Sequence, residues 1–297
     1  MRALAGFAMR GKREATGVAV VCASLPFLHW LSIAIISLVI LRKGPAEGAF
    51  VLLWSCLPVA MLLHLTGDPG PAIAFLGSAA LAWLLRVTVS WQLILSAIVV
   101  IAATGTVLFD FISGSAFDQF TELYLTVADQ AAGQNAVSLT TAGADERFAS
   151  MRSMMVGLFA MGQGIALFAF LALARWWQSA LYNPGGFQQE MHQLRLSPIV
   201  AAGTLGLLLV CLAFGSVGLV RWVPLLMVPL VIAGVCFVHW LVAARAMAGN
   251  WLVIMYIMLV LLAQLTHPIM AFIALTDSWL DLRLSLIHIS EPTRPSQ

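Results

Sequence analysis

Five ionisable side chains, His29, His64, Asp110, His239 and His267, stand inside otherwise apolar stretches of the chain. At membrane depth such groups are costly unless they face water, a partner or a bound solute. His29 follows Pro26, and His267 directly precedes Pro268, beside Gln264 and Thr266. A proline frees a helix carbonyl one turn back, and broken helices are where polar ligands for solutes and ions collect within a bilayer. His29, Gln264, Thr266 and His267 are therefore the candidate solute-binding residues. A buried histidine bonded to the freed carbonyl meets the same pattern without any solute. His64 and Asp110 fall near the ends of their runs, where interface placement accounts for them. His239, next to Trp240, reads as packing or as an interface anchor.

Covalent chemistry has little to build on. The chain holds no HExxH, GxSxG, GxxxxGK or GxGxxG pattern. Asp277 and Asp281 lie four apart with Arg283 nearby, a spacing that suits a cation or an acid and base pair. No histidine or third ligand accompanies them, so a solvent-facing helix end is expected. The four cysteines, Cys22, Cys56, Cys211 and Cys236, sit in apolar runs without CxxC spacing and read as small hydrophobes. No catalytic residue, metal site or cofactor is assigned. Active transport would draw on separate ATPase and coupling subunits, or on an ion gradient through the few intramembrane polar groups.

These residues need elements to hold them, and the composition says which kind. Of 297 residues, 61% are hydrophobic and 9% charged, with a mean hydropathy of +0.97 and a net charge of +2. The few charges fall between long apolar runs and form no basic face, which excludes nucleic acid as a partner and makes the lipid bilayer the expected one. About 20 apolar residues in a helix cross roughly 30 Å of hydrocarbon with every backbone group bonded internally. Runs at 15–41, 48–66, 72–85, 89–112, 153–174, 199–220, 223–244 and 251–275 predict an all-α transmembrane bundle of about eight spans. The third, at about 21 Å as helix, must be extended at its ends, thinned over or buried as a partial span.

Positive charge marks the cytoplasmic side. The polar connection 113–152 carries five carboxylates against Arg147 and Arg152, which places it outside. Arg42, Lys43, Arg86, Arg175, Arg195 and Arg245 then fall inside. Arg2, Arg10, Lys12 and Arg13, in a basic N-terminus at 1–14, join them if 15–41 is a hairpin broken at Pro26. One tilted span through 15–41 leaves them outside. In the hairpin arrangement ten basic residues lie inside and four outside.

The chain thus divides into a first transmembrane group at 15–112, the connection at 113–152, and a second group at 153–283 with a cytoplasmic elbow at 175–198. Within the connection Phe117, Phe120, Tyr124, Val127 and Ala131 recur at spacings of three and four. That is the helical period, and it predicts an amphipathic helix on the outer surface or over the bundle mouth, as a structural or gating lid. In the elbow, Asn183, Pro184, Gly185 and Gly186 make a turn. A short helix follows, with Phe187, Met191 and Leu194 on one face. Its Glu190, His192 and Arg195 form either a solvated face or a contact for a cytoplasmic partner. Ala15, Ala19 and Ala23 form a ridge of small residues, suited to internal packing or to docking a partner helix.

Residues 284–294 read LSLIHISEPTR, matching codon for codon a translated transposase-end sequencing adapter. Residues 284–297 are set aside as an artefactual tail. Without Arg294 and Glu291 the balance is fourteen basic against twelve acidic residues.

Three segments, LRKG at 41–44, LYNPGGFQQEMHQLRL at 181–196 and DSWLDLR at 277–283, resemble the YybS-like family of bacterial inner-membrane proteins. That family is distantly similar to the substrate-binding subunits of energy-coupling-factor transporters and to membrane partners of cell-shape machinery. The resemblance implies a protein that binds or helps move a small solute, or an adaptor in envelope assembly. It also implies coupling-subunit docking on a first-helix face like that of Ala15, Ala19 and Ala23, and a solute site beneath a region corresponding to 113–152. The proline-interrupted start and additional spans depart from the six-helix pattern of those subunits, and no ligand residue carries across.

Overall fold

The computed structural model describes residues 2–25, 27–132, 141–215 and 217–283. The adapter-like tail and Pro26 lie outside the described residues. Among the described residues thirteen helices follow in order: α1 (Arg2–Ala8), α2 (Lys12–Ser24), α3 (His29–Lys43), α4 (Pro45–Thr66), α5 (Gly70–Thr88), α6 (Trp91–Ala132), α7 (Thr141–Tyr182), α8 (Gly186–Gln193), α9 (Pro198–Ala213), α10 (Val217–Val220), α11 (Val223–Ala244), α12 (Asn250–Leu261) and α13 (Ala263–Leu280). Five of these helical stretches are long and apolar enough to cross a membrane, and six if α8 and α9, bent by 62° between them, count as one span. The protein is a multi-pass membrane bundle.

The first apolar run is two helices. Between Ser24 and His29 the chain breaks, and α2 packs back against α3. Lys12 lies 3.7 Å from the Phe50 ring on α4, while Arg42 stacks 4.2 Å from Tyr182 at the end of α7. Both basic clusters therefore occupy one end of the bundle. The ridge of Ala15, Ala19 and Ala23 is turned inward and buried, letting α2 approach α3 and α4. Helix α3 is apolar on every face and accordingly lies at the centre, with Ser32 through Leu41 all buried among α2, α4, α5 and α7. Its last carbonyls are capped by Arg86 of α5, whose Nη1 donates to Leu41 O at 2.6 Å. The third span is extended at its ends, as expected of a run too short alone: Pro71 starts it and the Asp68 carboxylate accepts from Gly70 N at 2.8 Å.

The outer connection differs from expectation. Its amphipathic helix is no separate element but the continuation of α6, which runs 42 residues, and α7 is likewise 42 residues long. Each is about 63 Å of helix, twice what a bilayer needs. A kink at Ser113 (φ −132°, ψ 34°) falls in the Ser113, Gly114, Ser115 cluster, where small residues let a helix bend. Arg152 on α7 holds both sides of the kink, donating through Nη2 to Asp110 and through Nε to Asp118, each at 2.6 Å. Phe109, Phe117 and Phe159 stack beneath it with centroids 4.6–5.3 Å apart.

The end of the chain is the larger correction. A single crossing from 251 to 275 is replaced by α12 and α13 with a reversal at Leu262 (φ −120°, ψ 42°). Gly234 of α11 faces the Met270 backbone, and Arg283 lies 5.7 Å from both the Phe237 and Trp240 rings, so α13 runs parallel to α11. The short 245–249 link and a His239–Tyr256 hydrogen bond make α12 antiparallel to it. Thr266 Oγ1 donates to Leu262 O at 3.0 Å and to Met258 O at 3.2 Å, eight residues back and out of reach in a continuous helix. With 12 residues, α12 spans about 18 Å and cannot cross. Trp251, Val253, Ile254, Ile257 and Val260 lie exposed along it, a surface suited to lipid tails.

Arg283 consequently joins the ten basic residues at the elbow end. Among the described residues only Arg147, Arg152 and Arg221 remain opposite, with Asp68, Asp110, Asp118, Glu122, Asp129, Asp145 and Glu146. The charge asymmetry of the two ends is sharper than the sequence alone indicates.

Candidate functional site

The elbow is fixed from three sides. Gly185 adopts φ +89°, and Ser179 Oγ donates to Asn183 O at 2.7 Å while accepting from Phe187 N at 3.0 Å, which closes the turn and starts α8. Phe187 and Met191 pack on the core and Leu194 is buried, as their shared face requires. Glu190 is held by Arg175, whose Nε and Nη2 both reach its carboxylate, and by Trp91 Nε1 at 3.0 Å. Arg195 pairs with Asp281 and donates to Ser278 O at 3.4 Å. Of the three elbow side chains proposed for partner contact, Glu190 and Arg195 are thus engaged inside the chain, and His192 lines a cavity.

Asp277 is not solvent-facing. It is 2% exposed and paired at 3.0 Å with Arg283 Nε, whose other nitrogens donate to His192 O and, at 2.7 Å, to Leu194 O. This one guanidinium ties the end of α13 to the last carbonyls of α8. Asp277 therefore has no open face for acid and base work, while Asp281, its side chain 33% exposed, is paired with Arg195.

Behind the elbow lies a cavity of about 800 Å³ between α7, α8, α11 and the α12–α13 hairpin. It extends from Pro184 and Gly185 at the turn to Val260 and His267 near the hairpin tip. Its walls are largely apolar and aromatic, with Phe168, Trp176, Phe187, Ile232, Val235 and Leu259. Polar groups converge from separate elements: Ser179 from α7, Gln188 and His192 from α8, His239 from α11, Tyr256 from α12 and His267 from α13. His239 Nε2 and Tyr256 Oη are 2.8 Å apart, with the donor set by the imidazole tautomer. The reversal at Leu262 is what brings Tyr256 and His267 to one chamber.

His29 lines a different cavity, of about 910 Å³, at the acidic end. Its roof is the part of α6 just beyond the kink, through Ser115, Ala116, Gln119 and Phe120. Ser113 Oγ ties that roof to Gly67 O at the turn between α4 and α5.

The four solute candidates are therefore divided. His267 faces the inner cavity and His29 the outer one. Thr266 is buried with its hydroxyl spent on the helix break, and Gln264 is exposed, lining neither. His239 and Tyr256 are the side chains that sequence reasoning passed over as site residues, and His192, a candidate there for partner contact, lines the cavity instead. The only prior signal was polar tips beside Trp240 and within an apolar helix, and pairing them requires knowing how α11 and α12 turn. Among the described residues no group of three or more His, Cys, Asp or Glu side chains is placed to hold a metal ion. Compared with known proteins, the chain matches no family model, no curated protein and no solved structure.

Proposed function

We propose that this chain is a bacterial inner-membrane protein that binds a small solute, or helps move one, in the cavity behind its elbow, without covalent chemistry. The cavity carries the reading. Its size falls within the range of about 300–1,000 Å³ typical of small-molecule sites, and it combines apolar walls with a few convergent polar groups. The concentration of basic residues at that end supports a cytoplasmic orientation for the elbow. Likeness of the 41–44, 181–196 and 277–283 segments to the YybS-like family supports a bacterial inner membrane. If the solute is moved actively, coupling subunits supply the energy.

An envelope or cell-shape adaptor would need free docking surfaces. The Ala15, Ala19 and Ala23 ridge is covered by α3 and α4, and Glu190 and Arg195 are paired internally, so the surfaces proposed for it are largely engaged. Native mass spectrometry after mild detergent extraction tests the choice. A retained small molecule is expected, lost when His239 and His267 are both replaced by Ala and kept in His29→Ala. Recovery with envelope proteins and no small molecule would reverse the reading.

A further inference from the structure

The chemistry of the elbow cavity also indicates what kind of solute it takes, an inference that rests on the solute-binding reading. Among the described residues no Asp or Glu lines it, although five carboxylates lie at this end of the bundle. Three of the five are turned away to arginines: Glu190 to Arg175, Asp277 to Arg283 and Asp281 to Arg195. The lining instead offers Arg2 and three imidazoles, together with the Tyr256 hydroxyl and the amide of Gln188, while the Ser179 hydroxyl is spent on Asn183 O. A cation entering it would lose hydration and find no counter-charge, which is costly in a low-dielectric site. An anion would meet hydrogen-bond donors and one fixed positive charge. The remaining wall, built from Phe168, Trp176, Phe187 and aliphatic side chains, suits a ring or chain.

We infer that the elbow cavity takes an amphipathic anion, a compact aromatic or aliphatic body carrying one acid group. The donors set the acid group toward Arg2 and the histidines, and the body lies along the aromatic wall. Glu190, Asp277 and Asp281 serve this selectivity indirectly, because their pairing with arginines keeps negative charge out of the chamber.

Indole-3-acetate and tryptamine share a ring and differ in the sign of the side-chain charge. Each is measured by equilibrium dialysis against the full chain in phosphatidylcholine nanodiscs, with empty nanodiscs subtracted for partitioning. Indole-3-acetate should bind saturably and at least 10-fold more tightly than tryptamine. Arg2→Gln combined with His267→Gln should weaken indole-3-acetate at least 10-fold and leave tryptamine within 2-fold. Arg2→Gln alone, at an exposed N-terminal position, guards against misfolding and should give a smaller loss of the same sign. Equal or tighter binding of tryptamine would overturn the anion assignment while leaving a solute site standing. If neither probe binds but native mass spectrometry retains a molecule, the solute class is wrong and the binding function survives. If neither probe binds and nothing is retained, both fall.

Discussion

Replacing Arg283 with Ala is expected to lower stability by about 3–5 kcal/mol, the usual cost of breaking a buried ion pair from one side. The side chains of Arg283 and Asp277 are 11% and 3% exposed, so the loss would strand a carboxylate in a nearly dry site. It would also leave the carbonyls of His192 and Leu194 without their donor and free the elbow from α13. A thermal unfolding midpoint in detergent reads the effect. Arg283→Lys should fall between wild type and Ala, since an ammonium keeps the charge but cannot reach three acceptors in a planar fork. Pairing Arg283→Met with Asp277→Ala should recover part of the loss, because no unpaired charge remains buried. A midpoint unchanged in Arg283→Ala would mean the elbow is not held by this contact.

Gly234→Ala should destabilise at or above the upper end of the overpacking range of about 1–3 kcal/mol. The added Cβ would lie 2.3 Å from Met270 O and 2.8 Å from its carbonyl carbon, and backbone at that distance cannot swing aside. Helix α13 would have to move off α11, carrying His267 out of the chamber. Loss of retained solute should therefore accompany the stability loss. Gly203→Ala is the matched control. Nothing lies within 4 Å of its added Cβ, and Ala is favoured over Gly in a helix interior by about 1 kcal/mol, so that variant should be neutral or slightly more stable. Equal behaviour of the two would remove the close α11–α13 contact from the account.

Helical character was legible wherever an apolar run was long, and so was the elbow, whose Asn-Pro-Gly-Gly turn and 187, 191, 194 face leave little choice of local geometry. At the N-terminus charge placement left a hairpin broken at Pro26 and a single tilted span both open, and the packing of α2 on α3 and α4 favours the hairpin. What remained hidden depended on tertiary partners. At Leu262 neither Gly nor Pro interrupts the sequence, and the reversal is stabilised by Thr266 reaching back to Met258, a contact invisible to hydropathy. The helical phase of 117–131 was readable, but its continuity with α6 through Ser113 was not, since Ser-Gly-Ser ends a helix as readily as it bends one. Asp277 looked solvated because its partner, Arg283, lies beyond the end of α13 and needs the chain to fold back. His267 stands out in the sequence beside Pro268, but Pro268 lies inside α13 and the break falls at Leu262, so it is the reversal there that brings His267 to the cavity. The polar groups that share this cavity sit on α1, α7, α8, α11 and α12.

Every inference above requires the chain to be threaded so that the N-terminus, the α3–α4 turn, the elbow and both ends of the α12–α13 hairpin meet one aqueous face. Single cysteines at Ala3, Ala46, Met247, Leu280 and Leu123, in a background lacking the four native thiols, test this with a membrane-impermeant maleimide on intact cells and inverted vesicles. The first four should label from the same side and Leu123 from the other. Labelling of Ala3 and Ala46 from opposite sides would replace the N-terminal hairpin by a single span, and labelling of Met247 and Leu280 from opposite sides would abolish the reversal at Leu262 and the cavity it completes.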